Sequence, residues 1–231
     1  MRTLIPCLLL ASTLCACSST SKRPVAEAPP PTYQATPEST PVQITAIPAP
    51  KQSEVQEAVR RVFKDAAAID TNYNPSFLAG DFNGDGSQDL AVIIKPVKLD
   101  QMNQELPPWL VRKPRTSKVD QKLIRIDKDE TLLAVIHGFG ANNWRDPDAT
   151  QTFVLKDVAG SDLKVHSLKD FFTANSGRKL PRPQGDLIGE TVAGTAGYLY
   201  YAQATYSWYD PKTFDESETA PGVFHKPRTM R

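Results

Sequence analysis

Between two apolar runs, Phe77-Leu78-Ala79 and Leu90-Ala91-Val92-Ile93-Ile94, the chain reads Gly-Asp-Phe-Asn-Gly-Asp-Gly-Ser-Gln-Asp, and no other stretch restricts the fold as much. Asp81, Asn83, Asp85 and Asp89 carry side-chain oxygens, and Ser87 is placed to offer its main-chain carbonyl. Alternate residues of a tight loop turn toward one point, and Gly84 and Gly86 permit the positive φ angles that such curling needs. Three carboxylates this close repel one another without a counter-ion. A hard cation resolves the repulsion, and Ca²⁺ accepts the irregular set of six to eight oxygens that such a loop and water provide. The apolar flanks read as the two strands of a hairpin.

The first six positions of the loop match the start of an EF-hand, but Val92 stands where the bidentate Glu would be, and strands replace the flanking helices. The run Asp81–Val92 (DFNGDGSQDLAV) instead resembles the calcium loop of FG-GAP (VCBS-type, integrin-α-like) repeats. That resemblance implies calcium ligands at Asp81, Asn83, Asp85, Ser87 (main chain) and Asp89, in a loop spanning residues 80–92. Such repeats come in series and close propellers of about four to eight blades. No second copy of the motif occurs here, and Asp157–Asp162 is only a loose echo of it. A full propeller is therefore excluded, and the loop is expected as a single staple in another sheet.

The chain opens MRTLIPCLLLASTLCAC, with Arg2 as a positive start and a short apolar run from Leu4 to Leu14. That run is too short to span a bilayer. Leu14-Cys15-Ala16-Cys17 resembles the lipobox of bacterial lipoproteins. The resemblance implies a signal peptide of residues 1–16, lipidation of Cys17, and a cell-envelope location, with Ser18 after the Cys pointing to the outer membrane. Several acyl chains on one Cys anchor firmly where a single chain does not. Cys7 and Cys15 would leave with the signal, which suits an oxidising compartment. Residues 17–52 are rich in Ser, Thr, Ala and Gln, with Pro24, Pro29, Pro30, Pro31, Pro37, Pro41, Pro48 and Pro50. Such a stretch buries too little apolar surface to order itself and is expected as an extended tether. Without residues 1–16 the chain has 26 Lys+Arg against 26 Asp+Glu. This balance gives no basic footprint for nucleic acid.

A folded unit is expected over residues 53–213, followed by a tail, 214–231. Ser53 and Gln56 have capping-box spacing, and Val55, Ala58, Val59, Val62, Phe63 and Ala66 recur at helical period, predicting a helix to about Ile69. Glu57 and Arg61 are spaced as an i,i+4 pair. Strands are predicted at Phe77–Gly80, Leu90–Lys95, Thr131–His137, Thr152–Lys156, Leu187–Gly189, Tyr198–Ala202 and Thr205–Tyr209, with a short helix at Ser167–Ala174. The class is α+β, mainly β: an antiparallel sheet with an N-terminal helix against one face and one cation-binding hairpin. Lys95–Lys128 is basic and Pro-containing and reads as a solvated insertion.

The stretch Thr131–Asp146 resembles the strand and His-Gly turn of α/β-hydrolases, but no G-x-S-x-G elbow follows. Its loop, with His137, Asn143, Trp144 and Arg145, is kept as a candidate ligand loop. The leading expectation is a non-enzymatic, calcium-binding envelope lipoprotein that binds an envelope protein or glycan. The alternative is a periplasmic hydrolase using residues 137–148. The aromatic run Tyr198–Tyr209 is read as cross-strand packing in preference to a glycan surface.

Overall fold

A computed structural model describes residues 47–115 and 124–214. The signal peptide, Cys17, the tether as far as residue 46 and the tail from residue 215 lie outside the described residues. In chain order the elements are α1 (Gln52–Phe63), β1 (Ala67–Ile69), β2 (Phe77–Gly80), β3 (Asp89–Pro96), α2 (Leu99–Met102), β4 (Leu110–Arg112), β5 (Leu132–Ile136), a 3₁₀ turn (Gly140–Asn142), β6 (Thr152–Leu155), β7 (Ser161–His166), α3 (Leu168–Ala174), β8 (Leu187–Val192), β9 (Thr195–Ala202) and β10 (Thr205–Tyr209). The fold is mainly β, of the α+β class, with no closed barrel or propeller.

The first sheet runs β1-β3-β5-β6-β4, and β2 also pairs with β3. β1 and β2 share one edge of β3: Phe77–Gly80 lie opposite Val92–Asp89, and Ala67–Ile69 opposite Pro96–Ile94. Every pairing is antiparallel except β4 with β6. The second sheet is an antiparallel meander, β10-β9-β8-β7.

β3 and β5 read as unbroken apolar runs because both their faces are covered. Leu90, Val92, Ile94, Leu132, Ala134 and Ile136 face α1, where they meet Val55, Ala58, Val59, Val62 and Phe63. Ala91, Ile93, Leu133, Val135, Phe153 and Leu155 face the second sheet and meet Leu163, Ile188, Leu199 and Tyr206. The outer side of the second sheet carries Leu187, Tyr200 and Tyr209, covered by Phe171 of α3. The layers are therefore helix, sheet, sheet, helix. Each fully buried Val, Leu, Ile or Phe contributes roughly 1.5–3 kcal/mol, so the double-faced strands are the centre of stability.

Four expectations are corrected. The helix stops at Phe63, not near Ile69. Lys64 takes φ 55°, and the following Ala-rich residues gain more by pairing with the far end of β3 than by prolonging a helix. The N-cap is Lys51, whose N–H is accepted by Glu54 Oε2 at 3.2 Å, in place of the Ser53/Gln56 box. Glu57 pairs with Arg60, and Arg61 turns inward instead. Finally, much of the basic stretch after Lys95 is core: Met102, Trp109 and Ile126 are buried against α1 and its sheet, although residues 116–123 lie outside the described set. The aromatic run packs as expected: Tyr200, Tyr206 and Tyr209 are buried. Its hairpin turns on Gln203 and Ala204, both at positive φ, the two-residue geometry that suits strand twist.

Candidate functional site

The loop joining β2 to β3 is wound around its own acidic side chains. Asp81 Oδ1 accepts the N–H groups of Gly84 (2.8 Å) and Asp85 (3.1 Å), and its Oδ2 accepts Gly86 N–H at 3.0 Å. Asn83 Oδ1 accepts Asp85 N–H, and Asp85 Oδ1 accepts Ser87 N–H at 2.7 Å. Asn83 also donates through Nδ2 to Asp85 Oδ2. Gly84 sits at φ +74°, and a Cβ there would lie 2.0 Å from the Gln184 carbonyl oxygen. Only glycine fits this combination of backbone and neighbour.

Asp89, the first residue of β3, is 0% exposed. Its Oδ2 accepts N–H from Phe82 (2.8 Å) and Asn83 (3.1 Å), and its Oδ1 accepts N–H from Gly138 (2.7 Å). Burial pushes its carboxyl up to about 7; the three N–H donors oppose the rise, and the charge of Asp85 adds to it. Among the described residues, no Lys or Arg closes an ion pair on Asp81, Asp85 or Asp89. Backbone dipoles are their recorded partners.

All five predicted ligand residues therefore lie in one loop. Among the described residues, no group of three His, Cys, Asp or Glu side chains is gathered as a metal cluster, because the carboxylates point at N–H groups. Each carboxylate oxygen has a second lone pair, so one N–H bond does not exhaust it. The donors are oxygens alone, with no ring nitrogen or sulfur, and that chemistry suits Ca²⁺ better than a transition metal. Asp81, Asn83, Asp85, Ser87 and Asp89 fit calcium on this ground.

The candidate ligand loop, residues 137–148, packs directly on the cation loop. Asn143 Oδ1 accepts Gln88 N–H at 2.6 Å. Trp144 donates its main-chain N–H to the Gln88 carbonyl and its indole N–H to Gln88 Oε1, both at 3.0 Å. A Cβ on Gly138 would lie 2.3 Å from the Gln88 carbonyl oxygen. Asn143 and Trp144 are buried, so their polar atoms serve the protein's own backbone. Arg145 lies over the Trp144 ring at 4.1 Å and pairs with Glu54 at 3.0 Å. Of this loop, Phe139 is the large side chain left in solvent, at 58% exposure.

His137 is 2% exposed and packed among Phe153, Tyr201 and Tyr206. Its Nε2 shares a hydrogen bond of 3.0 Å with the Tyr206 hydroxyl, while Nδ1 has no hydrogen-bond partner. Burial lowers its pKa to about 4, against smaller opposing effects of the Asp85 charge and the Gln151 side chain. A ring enclosed in this way packs two sheets together, and a substrate has no approach to it from solvent. His166 and His137 are held on separate strands, with His166 beside Tyr198.

Gln88 and Asp186 were not singled out by the sequence. Asp186 Oδ2 accepts Asp81 N–H at 3.2 Å, and Asp186 N–H donates to the Asp81 carbonyl at 2.7 Å. Burial, reinforced by the charge of Asp81, raises the Asp186 carboxyl. The cation loop is thus held by the first sheet through β2 and β3 and by the lead-in to β8 of the second. Spacing gave no signal for Asp186, which lies 105 residues from Asp81. Compared with known protein families, with curated proteins and with solved structures, the chain matches none.

Proposed function

We propose that the chain is a calcium-binding lipoprotein of the cell envelope, anchored through Cys17 in the outer membrane and acting as a non-enzymatic binding or assembly module for an envelope protein or glycan. One observation carries the calcium part. Asp81, Asp85 and Asp89 crowd one hairpin loop with backbone N–H groups as their recorded partners. A bound Ca²⁺ would supply the missing positive charge. Asp81 and Asp89 hold the loop backbone in its curl. Asp85 and Asn83, less buried, present oxygens toward solvent. The lipid-anchor part rests on the sequence around Cys17. The enclosed setting of His137 supports packing over general-base chemistry, and with it the non-enzymatic reading.

Calorimetric melts of the purified protein, with millimolar calcium and with chelator, test the site. A ligand at a hundredfold excess over its Kd stabilises by ~2.7 kcal/mol, which for a domain of this size raises Tm by about 5–10 °C. Asp85→Ala removes that rise while leaving the melt in chelator within about 1 kcal/mol of wild type, because Asp85 is exposed. An Asp85→Ala protein that still gains the full calcium shift would overturn the ligand assignment.

A further inference from the structure

The residues that grip the cation loop also hold both ends of α1. Gln88 stands between Ser87 and Asp89, and its N–H, carbonyl and side chain are all bonded to Asn143 and Trp144. Trp144 is 0% exposed, and its carbonyl accepts Arg61 Nη2 from the last turn of α1 at 2.7 Å. Its neighbour Arg145 donates through Nε to Glu54 in the first turn, at 3.0 Å, and through Nη2 to the Pro48 carbonyl at 3.1 Å. Glu54 in turn closes the start of the helix on Lys51 N–H. A short, continuous set of bonds therefore runs from the acidic loop to the point where the N-terminal residues join the packed unit.

We propose that residues Gln88, Asn143, Trp144 and Arg145 form a relay, through which cation loading of the 81–89 loop tightens the seating of α1 and of the chain at Pro48. The inference rests on the calcium reading above and adds a regulatory consequence to it. Any displacement of Ser87 or Asp89 moves Gln88, whose polar groups have no slack. Trp144 then shifts with its carbonyl and its indole, and Arg145 loses the ring it lies on. Coupling of this kind is reciprocal: if the ion firms the Glu54–Arg145 contact, that contact strengthens ion binding by the same factor.

The test uses the full chain. Hydrogen exchange is followed over residues 47–55 and 138–146 with calcium and with chelator, and calcium affinity is measured by titration calorimetry for wild type, Arg145→Ala and Glu54→Gln. Calcium is expected to slow exchange in both segments several-fold. Arg145→Ala is expected to weaken calcium binding about fivefold, and Glu54→Gln less, in the same direction; the second variant keeps the test readable if the first folds poorly. Calcium uptake with unchanged exchange over 47–55 and unchanged affinity in both variants would overturn the relay alone. Absence of calcium uptake by wild type would overturn the reading beneath it and the relay together.

Discussion

Asp89 and Glu190 are two buried carboxyls that face the same layer between the sheets, Asp89 at the start of β3 and Glu190 in β8. Burial raises each to about 7. Their partners differ. Three N–H groups from two loops converge on Asp89. Glu190 receives one, from Gly160 at 2.8 Å, and its Oε1 has no hydrogen-bond partner. Low exposure therefore does not by itself identify a site. Asp89 is the knot that ties the cation loop to the 137–148 loop, whereas Glu190 is a charge held in a place that suits its neutral form.

The contrast gives changes in stability of opposite sign. Asp89→Ala orphans three buried or half-buried N–H groups, each at about 1–3 kcal/mol, so denaturant unfolding in chelator should show a loss of about 3 kcal/mol or more. A loss below about 1 kcal/mol would remove Asp89 from its role as the knot. Glu190 acts through pH. Its folded pKa lies above the unfolded value, so the folded state holds the extra proton between about 4.5 and 7 and stability falls as pH rises through that window. The part of this fall due to Glu190 reaches about 3 kcal/mol, and Glu190→Gln should flatten it. Equal slopes for the two proteins would show that Glu190 is solvated.

His137 sharpens the comparison with a base in the same layer. Its folded pKa is depressed, so its contribution is present above pH 6.5 and is lost as pH falls toward 4. His137→Phe keeps the ring packing and leaves the Tyr206 hydroxyl without its partner, at about 1 kcal/mol near pH 7. The acid limb of the stability profile should flatten in this variant. An unchanged acid limb would place the titration elsewhere.

Strands were legible where composition and alternation agreed. Phe77–Gly80 and Thr205–Tyr209 match their predicted bounds, because Gly and polar residues end them on both sides. β1, β4 and β7 were not legible. β1 and β4 have three residues each, and β7 is mostly exposed, so none carries a clear periodic signal; pairing partners make them strands. The cation loop could be read residue by residue, since its oxygens recur within ten positions. Its supports could not. Gly138, Asn143 and Trp144 resembled an oxyanion turn, and only the register of β3 against β5 shows them clasping Gln88.

The local chain determined the hairpin with its acidic loop, the first turns of α1 and the apolar runs of β3 and β5, because those properties depend on neighbours a few residues apart. Tertiary structure decided that α1 yields to a strand at Ala67, that a basic insertion buries Trp109, and that His137 is enclosed by rings from β6, β9 and β10. Burial and hydrogen-bond satisfaction govern those outcomes. Both depend on which distant segments meet, and that information lies in the packing of two sheets on one another.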